Sequence, residues 1–388
     1  MYSLKSVPNV DPAVISYAKK LVQQRSITPD DNGCQTWLAS KLSELGFKCH
    51  HLPCHGVSNL VAEIGTGTTT IGFCGHTDVV CAGDETQWYS PPFAAEQQKD
   101  FIVGRGISDM KGGIAAMLAA TENVLTSPLT DTRFMWLITS DEEGEAEYGS
   151  KHIAQWLAAN NYQLDMCIVG EPTAKHHTGD GIKIGRRGAL SGKIVIQGKQ
   201  GHVAYPQHAV NAIHEMHKVT NNLLSIDWEA GSDDFPSTSL QITYIDSGTF
   251  TDNIIPASCA ICFNVRFDHH FSIESLKAFI EQRLDKNEYI SDIVWERPCE
   301  PYFCAESGKG ALIDAVDKAV LKHTGKFPLV TTSGGTSDGR FFASPHTQIV
   351  ELGLPNNTIH QVNERAHVSD IVSLVDIYTS ILEGLLLP

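Results

Sequence analysis

Three adjacent carboxylates, Asp141, Glu142 and Glu143, directly follow an apolar run at 134–138. Like charges this close repel one another, so the pKa values of these acids should be raised and the fold destabilised unless a positive group lies among them. The sequence therefore predicts that residues from elsewhere in the chain converge on these acids, together with a positive charge.

Imidazole and carboxylate side chains follow several further apolar runs that are typical of strands. His76 and Asp78 follow TTIGFCG, and Glu171 follows MCIVG. His360 comes after the late run TQIVELG, and Asp109 stands just before a helical pattern in GRGISDMKGG. Ligands of open α/β sheets gather beyond the carboxyl ends of the strands. Imidazoles and carboxylates suit zinc or a neighbouring divalent transition metal, so the pattern predicts a metal site that explains the acids.

The spacing within these motifs indicates how the side chains point. Residues i and i+2 of an extended chain face the same side, so Asp78 can hold the ring of His76 and fix its tautomer. Glu142 and Glu143 are adjacent and should point differently, so that one binds metal while the other acts as an acid or base. Any one of these residues alone is more often a cap or a turn residue, and only their convergence favours the metal site.

Strand-like and helical patterns alternate in the first part of the chain, which predicts a largely parallel sheet covered by helices. After about residue 184 the order changes to strand, helix, strand, strand, helix, strand, the ferredoxin-like order. The end of the chain returns to the first style, with a helix over 311–324 and another from about Ser369 to Leu387. The prediction is a small domain at 184–297, inserted between two parts of a larger α/β domain at 1–183 and 298–388.

Composition restricts the partners. The 388 residues include 29 Lys and Arg against 45 Asp and Glu, a net charge of −16 that argues against nucleic acid or an anionic membrane as partner. No run approaches the roughly 18 apolar residues of a membrane span, and the N-terminus lacks a secretory pattern. The cysteines are scattered, which predicts a reducing, cytoplasmic location. Cys259 and Cys262 could suggest a zinc knuckle or a redox motif, but their flanks favour a buried strand.

Several motifs resemble the co-catalytic zinc aminoacyl deacylases and peptidases, a family that includes acetylornithine deacetylase and carboxypeptidases of the aminoacylase type. The matching stretches are GHTDVV, GRGISDMKGG, TSDEEGEA, GEPT and TIH. Longer stretches, such as GDGIKIGRRGALSG and GKQGHVAYPQHAVNAIH, are similar to the bacterial desuccinylases of this family. Cys81 and Ala212 depart from the family pattern. The resemblance implies a zinc-peptidase-like α/β catalytic domain with a mixed, mostly parallel sheet, and an inserted ferredoxin-like α+β dimerisation domain.

The resemblance also implies a reaction, with two zinc ions per subunit and cobalt as an alternative metal. The expected activity is hydrolysis of N-succinyl-LL-2,6-diaminopimelate to succinate and LL-2,6-diaminopimelate, in lysine and diaminopimelate biosynthesis. Glu142 would be the general base that takes the proton of the attacking water. The metal ligands implied by the resemblance are His76 and Glu171 for one ion, Glu143 and His360 for the other, and Asp109 as the bridge.

A dicarboxylate substrate needs a local basic site on an acidic protein. The resemblance favours Arg186 and Arg266, whose planar guanidinium groups can bind carboxylates through two hydrogen bonds. Thr336 and Asn356 also resemble residues of the family's substrate loop. The plainer interpretations are solvated or salt-bridged arginines and a tight glycine-rich turn.

The inserted domain is expected, from the resemblance, to form a homodimer. His202 would then reach the partner's active site and stabilise the tetrahedral oxyanion, and Asn253 would be donated across as well. A structural histidine in a loop is the default interpretation of His202 taken alone.

Two rival functions share these motifs. The first is deacylation of another N-acyl amino acid such as N-acetylornithine, which would use the same metal ligands. The second is a non-catalytic zinc-binding protein on the same scaffold, which should lack the base, whereas Glu142 is present in TSDEEG.

Overall fold

The computed structural model describes residues 12–284, 287–304 and 310–387. The chain forms two compact units. The first comprises Met1–Gly185, Phe303–Thr331 and Ser337–Pro388, and the second comprises Arg186–Tyr302 and Thr332–Thr336. Their predicted roles as catalytic and dimer-forming domains stay predictions.

The regular elements of the described residues are named here in chain order. The α-helices are α1 (Pro12–Val22), α2 (Cys34–Glu44), α3 (Gly112–Val124), α4 (Ser150–Ala159), α5 (Ala212–Leu224), α6 (Ile273–Leu284), α7 (Ala311–Thr324), α8 (Gly339–Phe342) and α9 (Val368–Leu386). The strands are β1 (Lys48–His51), β2 (Asn59–Ile64), β3 (Thr69–His76), β4 (Glu96–Gln98), β5 (Phe101–Val103), β6 (Thr132–Thr139), β7 (Met166–Val169), β8 (Gly181–Lys183), β9 (Gly185–Arg186), β10 (Gly188–Gln197), β11 (Gly201–His202), β12 (Ser239–Asp246), β13 (Ile254–Ile255), β14 (Ser258–Phe267), β15 (Ile290–Cys299), β16 (Tyr302–Phe303), β17 (Leu329–Thr331), β18 (Gln348–Glu351) and β19 (Arg365–His367).

An eight-stranded sheet, counted over the described residues, forms the centre of the first unit, in the order β1-β2-β6-β3-β7-β18-β8-β17. The pairs β6–β3, β3–β7, β7–β18 and β8–β17 are parallel. The pairs β1–β2 and β2–β6 are antiparallel. The predicted α/β fold with a mixed, mostly parallel sheet is therefore confirmed.

The register of the central strands brings their ends to one edge of the sheet. His76 at the end of β3 lies opposite Thr139 at the end of β6. Cys74 of β3 pairs with Val169 of β7, which in turn pairs with Glu351 of β18. Because these strands are parallel and end level with one another, the residues that follow them emerge at the same place.

The helix α3 is central to the first core. Nearly all its residues are buried, and it packs against α1 and α9. Its sequence, GGIAAMLAATENV, is small or apolar on almost every side, which is typical of a helix enclosed by other elements. Small side chains let these helices approach closely. Among the described residues, no helix is long and apolar enough to cross a membrane.

The second unit has the predicted order β10-α5-β12-β14-α6-β15. Its strands form an antiparallel sheet in the order β12-β14-β10-β15, which confirms the ferredoxin-like arrangement. Helices α5 and α6 supply Met216, Leu223 and Ile280 to a core shared with the sheet. Burial alternates along β14, with Cys259 only 1% exposed, so the strand interpretation of this cysteine pair is confirmed.

Candidate metal centre and active site

His76 is the last residue of β3 and is almost fully buried, at 1% exposed. Its Nδ1 lies 3.0 Å from the main-chain oxygen of Asp78 and 3.6 Å from the Oδ1 of the same residue. Its Nε2 faces the opposite way, 3.2 Å from Asp109 Oδ1 and 3.7 Å from Glu171 Oε1. Asp78 thus holds one side of the ring while the other side points at two carboxylates.

The carboxylate of Asp109 lies between two imidazoles. Its Oδ1 is 3.2 Å from His76 Nε2, and its Oδ2 is 3.3 Å from His360 Nε2. The side chain of Asp109 is largely buried, whereas His360 reaches in from an exposed loop after β18. One oxygen for each imidazole is the arrangement expected of a carboxylate that bridges two metal positions.

The adjacent residues Glu142 and Glu143 join different groups. Glu143 Oε1 lies 3.0 Å from His360 Nε2, and these two residues form a candidate metal group with Asp109. Glu142 forms a second candidate group with His76 and Glu171, and within each group the nearest ligand atoms all lie within 4.8 Å of one another. The two neighbours therefore point differently, but the assignment of base and ligand between them stays a prediction.

Asp78 has a second role that its spacing from His76 did not reveal. Its two carboxylate oxygens accept hydrogen bonds from the main-chain N–H groups of Glu142, at 3.3 Å, and Glu143, at 3.1 Å. Asp78 is fully buried, so these hydrogen bonds satisfy a carboxylate that would otherwise be costly to enclose. One residue thereby orients the end of β3 and the two acids after β6.

Burial and neighbouring charges shift the pKa values of several groups at the centre. Burial and the neighbouring Glu171 carboxylate raise the pKa of Glu142 well above its usual value. Burial alone would raise the pKa of Asp109, but the hydrogen bonds with His360 and His76 outweigh it and lower that pKa. The hydrogen bonds with Asp109 and Glu143 raise the pKa of His360 to about 10. The imidazoles supply positive charge among the carboxylates, and a divalent cation would satisfy the same acids.

The residues fit a pair of divalent transition-metal ions by their donor chemistry. Each candidate group offers one imidazole nitrogen and two carboxylate oxygens, the ligand types that zinc and its neighbours accept. Within the described ranges, these are the two clusters of three such residues at ligand spacing.

Asp31 is a buried acid near this centre that the sequence analysis did not identify. Its carboxylate accepts a hydrogen bond of 2.7 Å from the hydroxyl of Thr77, the residue between His76 and Asp78. Ser26 donates its hydroxyl hydrogen to the Thr77 carbonyl at 2.6 Å. These contacts hold the residues at the end of β3 to the segment that follows α1. No spacing rule links Asp31 to Thr77, so only the tertiary fold reveals the contact.

The predicted arginines belong to the second unit. Arg186 is 6% exposed, and its Nη1 donates to the carbonyls of Ser333, at 3.4 Å, and Gly335, at 3.1 Å. Arg266 lies in β14, opposite Ala189 and Ser239. Burial and the neighbouring Arg266 lower the pKa of Arg187. That these arginines bind a substrate stays a prediction.

The remaining predicted residues lie on loops and short strands. His202 pairs with Ile254 between β11 and β13, is exposed, and accepts a hydrogen bond from Ala204 N–H through Nδ1 at 3.1 Å. The main-chain oxygen of Asn253 accepts from Val203 N–H at 3.2 Å. Their predicted roles across a dimer stay predictions.

Thr336 and Asn356 are half-buried and belong to different units. Thr336 is in the second unit, in the segment Thr332–Thr336, and Asn356 is in the first. The main-chain N–H of Asn356 donates to the Ala174 carbonyl at 2.9 Å. Their predicted contacts with substrate stay predictions.

Fold and centre together agree with one enzyme family. Residues 72–384 match peptidase family M20/M25/M40, and the chain belongs to this family. A metallo-carboxypeptidase of the M20 family from Sulfolobus solfataricus has a TM-score of 0.81 at 17% identity, covering 95% of this chain and 98% of its own. A Bacillus subtilis protein described as a dinuclear metal binding peptidase of the M20 family has a TM-score of 0.68 at 14% identity, covering 95% of this chain and 97% of its own. At these identities the similarity establishes the fold.

Relatives that are much more similar in sequence carry a more specific name. Succinyl-diaminopimelate desuccinylase 1 of Alteromonas mediterranea is 51% identical over 374 residues, 96% of this chain and 96% of its own. Succinyl-diaminopimelate desuccinylase of Halorhodospira halophila is 43% identical over 377 residues, 97% of this chain and 99% of its own. These matches extend over nearly the whole chain, including both units.

Proposed function

We propose that this protein hydrolyses the amide bond of N-succinyl-LL-2,6-diaminopimelate, releasing succinate and LL-2,6-diaminopimelate for lysine and diaminopimelate biosynthesis. The observation that carries the proposal is the Asp109 carboxylate, which faces His76 with one oxygen and His360 with the other. This arrangement would suit a centre for two metal ions in an M20-family chain. The choice of substrate is supported by the names of relatives 43–51% identical over nearly the full length.

Two zinc ions are the proposed cofactor, with cobalt as an alternative. Bound zinc polarises a substrate carbonyl and lowers the pKa of water from 15.7 toward about 7. The residues that would hold the ions are His76 and Glu171 on one side, Glu143 and His360 on the other, and Asp109 between them.

The protein's own residues would carry the proton transfers. Glu142 lies in the same group as His76 and Glu171, and its carboxylate would accept a proton from the attacking water and return it to the leaving amine. Asp78 would keep both Glu142 and His76 in position, since it contacts the main chain of the first and the ring of the second. His202 would donate a hydrogen bond to the oxyanion from the partner subunit.

The substrate is proposed to be a small dicarboxylate that binds to local positive charge. Arg186 and Arg266 would engage its carboxylates, with Asn253, Thr336 and Asn356 as further contacts. The two arginine side chains would supply the local positive charge that an anionic substrate needs on a protein whose net charge is −16.

We further propose a cytoplasmic homodimer. All ten cysteines are free thiols, which agrees with a reducing compartment. The strand β12 lies at the edge of its sheet and carries Tyr244 and Ile245, 56% and 62% exposed. An exposed apolar edge strand favours pairing with another chain.

One assay tests the proposed reaction. The purified full chain, loaded with zinc, is expected to hydrolyse N-succinyl-LL-2,6-diaminopimelate with a kcat/KM far above that for N-acetylornithine. A chelator should abolish turnover, and added zinc should restore it. Equal or better use of N-acetylornithine would contradict the substrate assignment, and full activity in chelator would contradict the metal centre.

A further inference from the structure

The carboxylate of Glu364 is fully buried and lies against the segment that ends in Asp109. Its Oε2 accepts from Arg105 Nη1 at 2.8 Å and from Gly106 N–H at 2.9 Å. Its Oε1 accepts from Ser108 N–H at 2.9 Å and from Asp109 N–H at 3.3 Å. Four donors from one short segment thus converge on a single side chain.

These hydrogen bonds determine the shape of the segment that carries Asp109. Burial raises the pKa of Glu364 to about 7, against the lowering effect of the Gly106 and Ser108 N–H groups and of Arg105. A buried carboxyl group is costly to enclose unless its oxygens accept hydrogen bonds, and both oxygens of Glu364 do so. Gly106 in this segment has a φ of 83°, in the left-handed region that favours glycine. The Glu364 carboxylate therefore takes the place of the main-chain acceptors that a regular helix or strand would offer to these N–H groups.

The same residue also belongs to the loop that carries His360. The hydroxyl of Thr358 donates to the Arg365 carbonyl at 3.0 Å and accepts from Arg365 N–H at 3.2 Å, which closes the loop at its base. Ser108 Oγ donates to the Arg365 carbonyl at 3.1 Å. The Asp109 segment and the His360 loop are therefore fastened together at Glu364.

We propose that Glu364 is a positioning residue that sets the Asp109 carboxylate against His360 and so determines the metal affinity of the group Asp109, Glu143 and His360. The inference rests on the proposed function, in which these residues bind metal. Glu364 contacts the backbone of the bridging ligand and acts only through it. Partners of metal ligands of this kind typically change metal affinity by 10–100-fold when they are mutated.

The alternative is that the ion pair with Arg105 contributes to folding alone. The two roles are separated by metal titration of the metal-free full chain, with Zn²⁺ by calorimetry and with Co²⁺ by its visible absorption. Glu364→Gln places an amide N–H₂ group against the N–H donors of the Asp109 segment. The variant protein is expected to bind one ion almost as wild type does and the second ion about 10–100-fold more weakly. Its Co²⁺ absorption should rise in proportion to added metal up to the first equivalent and then only gradually with excess Co²⁺.

Asp165→Asn is the matched control. Asp165 is a half-buried carboxylate that, like Glu364, accepts a main-chain hydrogen bond, from Thr70 N–H at 2.8 Å, but it lies at the opposite end of β3 from His76. This variant should bind both ions as wild type does. Glu364→Asp separates charge from geometry, because it keeps the charge beside Arg105 but withdraws the oxygens by one methylene. It should also weaken the second ion.

The outcomes distinguish this inference from the proposed function. A wild-type chain that binds fewer than two ions would overturn the two-metal centre itself. If wild type binds two ions and either Glu364 variant binds both with wild-type affinity, the positioning role is overturned alone. If neither variant folds, hydrogen exchange in the metal-free wild type tests the positioning role instead. Slow exchange at the Gly106 and Ser108 amides would support a segment that is formed before metal binds, and fast exchange would overturn the positioning role.

Discussion

The side chains of the two neighbouring glutamates at this centre point in different directions. Glu143 faces His360, whereas Glu142 groups with His76 and Glu171. Both main-chain N–H groups are held by Asp78, so a one-residue step along the chain moves the carboxylate from one candidate metal position to the other. Whether a glutamate acts as base or as metal ligand at this centre therefore depends on the direction in which its side chain points from the backbone.

Glu142→Gln is expected to keep both metal ions and to lower kcat by at least about 100-fold, because the amide is nearly isosteric but cannot accept the proton from water. Metal analysis and turnover are measured on the same preparation. Glu147→Gln is the control, since Glu147 is exposed and pairs with Lys151. Loss of an ion would mean that Glu142 and Glu143 exchange roles, and retained turnover would exclude Glu142 as the base.

Arg186→Lys is expected to raise KM for the succinyl substrate by about 10-fold or more, although the charge is kept, because an ammonium cannot reproduce the planar arrangement of donors. Arg187→Lys is the matched control, because Arg187 is the neighbouring arginine, is half-buried and also donates to a carbonyl, that of Ser237 at 2.9 Å. Unchanged kinetics for Arg186→Lys would remove this residue from the substrate site.

At the scale of secondary structure, short polar links connect elements around the parallel strands. Asp338 immediately precedes α8, is almost fully buried and accepts a hydrogen bond of 2.6 Å from the hydroxyl of Ser150, the first residue of α4. Burial raises the pKa of Asp338 to about 6. This carboxylate therefore prefers to be neutral in the folded chain at a pH where it would be ionised in the unfolded chain.

The pH dependence of stability follows from this shift. Because the folded pKa of Asp338 is raised, its contribution is fully present below about pH 3.8 and is lost as pH rises through about 6. In the metal-free chain, Asp338→Asn should therefore be more stable than wild type at pH 8, by up to about 3 kcal/mol, and the difference should shrink toward pH 5. Denaturant unfolding from pH 5 to 8 measures it.

Ser150→Ala provides the opposite test. The Ser150 hydroxyl lowers the pKa of Asp338, so its removal should raise that pKa further and move the loss of stability to higher pH. A constant difference in unfolding free energy between Asp338→Asn and wild type across this pH range would contradict the assignment.

At the scale of the whole molecule, the proposed catalytic groups are divided between two units. The metal ligands and Glu142 belong to the first, and His202 belongs to the second. If His202 acts on the partner's site in a homodimer, function is a property of the assembly. An exposed histidine on a two-residue strand would then have a role that its own contacts do not indicate.

A hybrid dimer tests this assignment. One Glu142→Gln subunit paired with one His202→Ala subunit has one site with both defects and one site with neither. Each variant homodimer should be nearly inactive, since loss of one oxyanion donor typically lowers turnover by 10²–10³, whereas the hybrid should regain about half the wild-type activity per dimer. Two affinity tags isolate the hybrid, and a tagged wild-type pair is the control. An inactive hybrid of confirmed composition would show that His202 does not act in trans.

The sequence alone determined the residues that could meet at the centre. His76 ends a strand, whereas the acids after β6, Glu171 and His360 follow one, and parallel strands that end level must bring them to one edge. The order of elements also predicted the ferredoxin-like unit, because its periodicities are local. Motif resemblance correctly predicted the family for the same reason, since motifs are contiguous in sequence.

Tertiary structure decided what no local pattern encodes. Glu364 lies in the TIHQVNE stretch, but its hold on Asp109 depends on two loops meeting that are separated by more than two hundred residues. The pairing of β2 with β6 rather than with β3, and the contacts of Asp78 and Asp31, have the same origin. A buried carboxylate is stabilised by whichever donors surround it, and those neighbours exist only once the chain has folded.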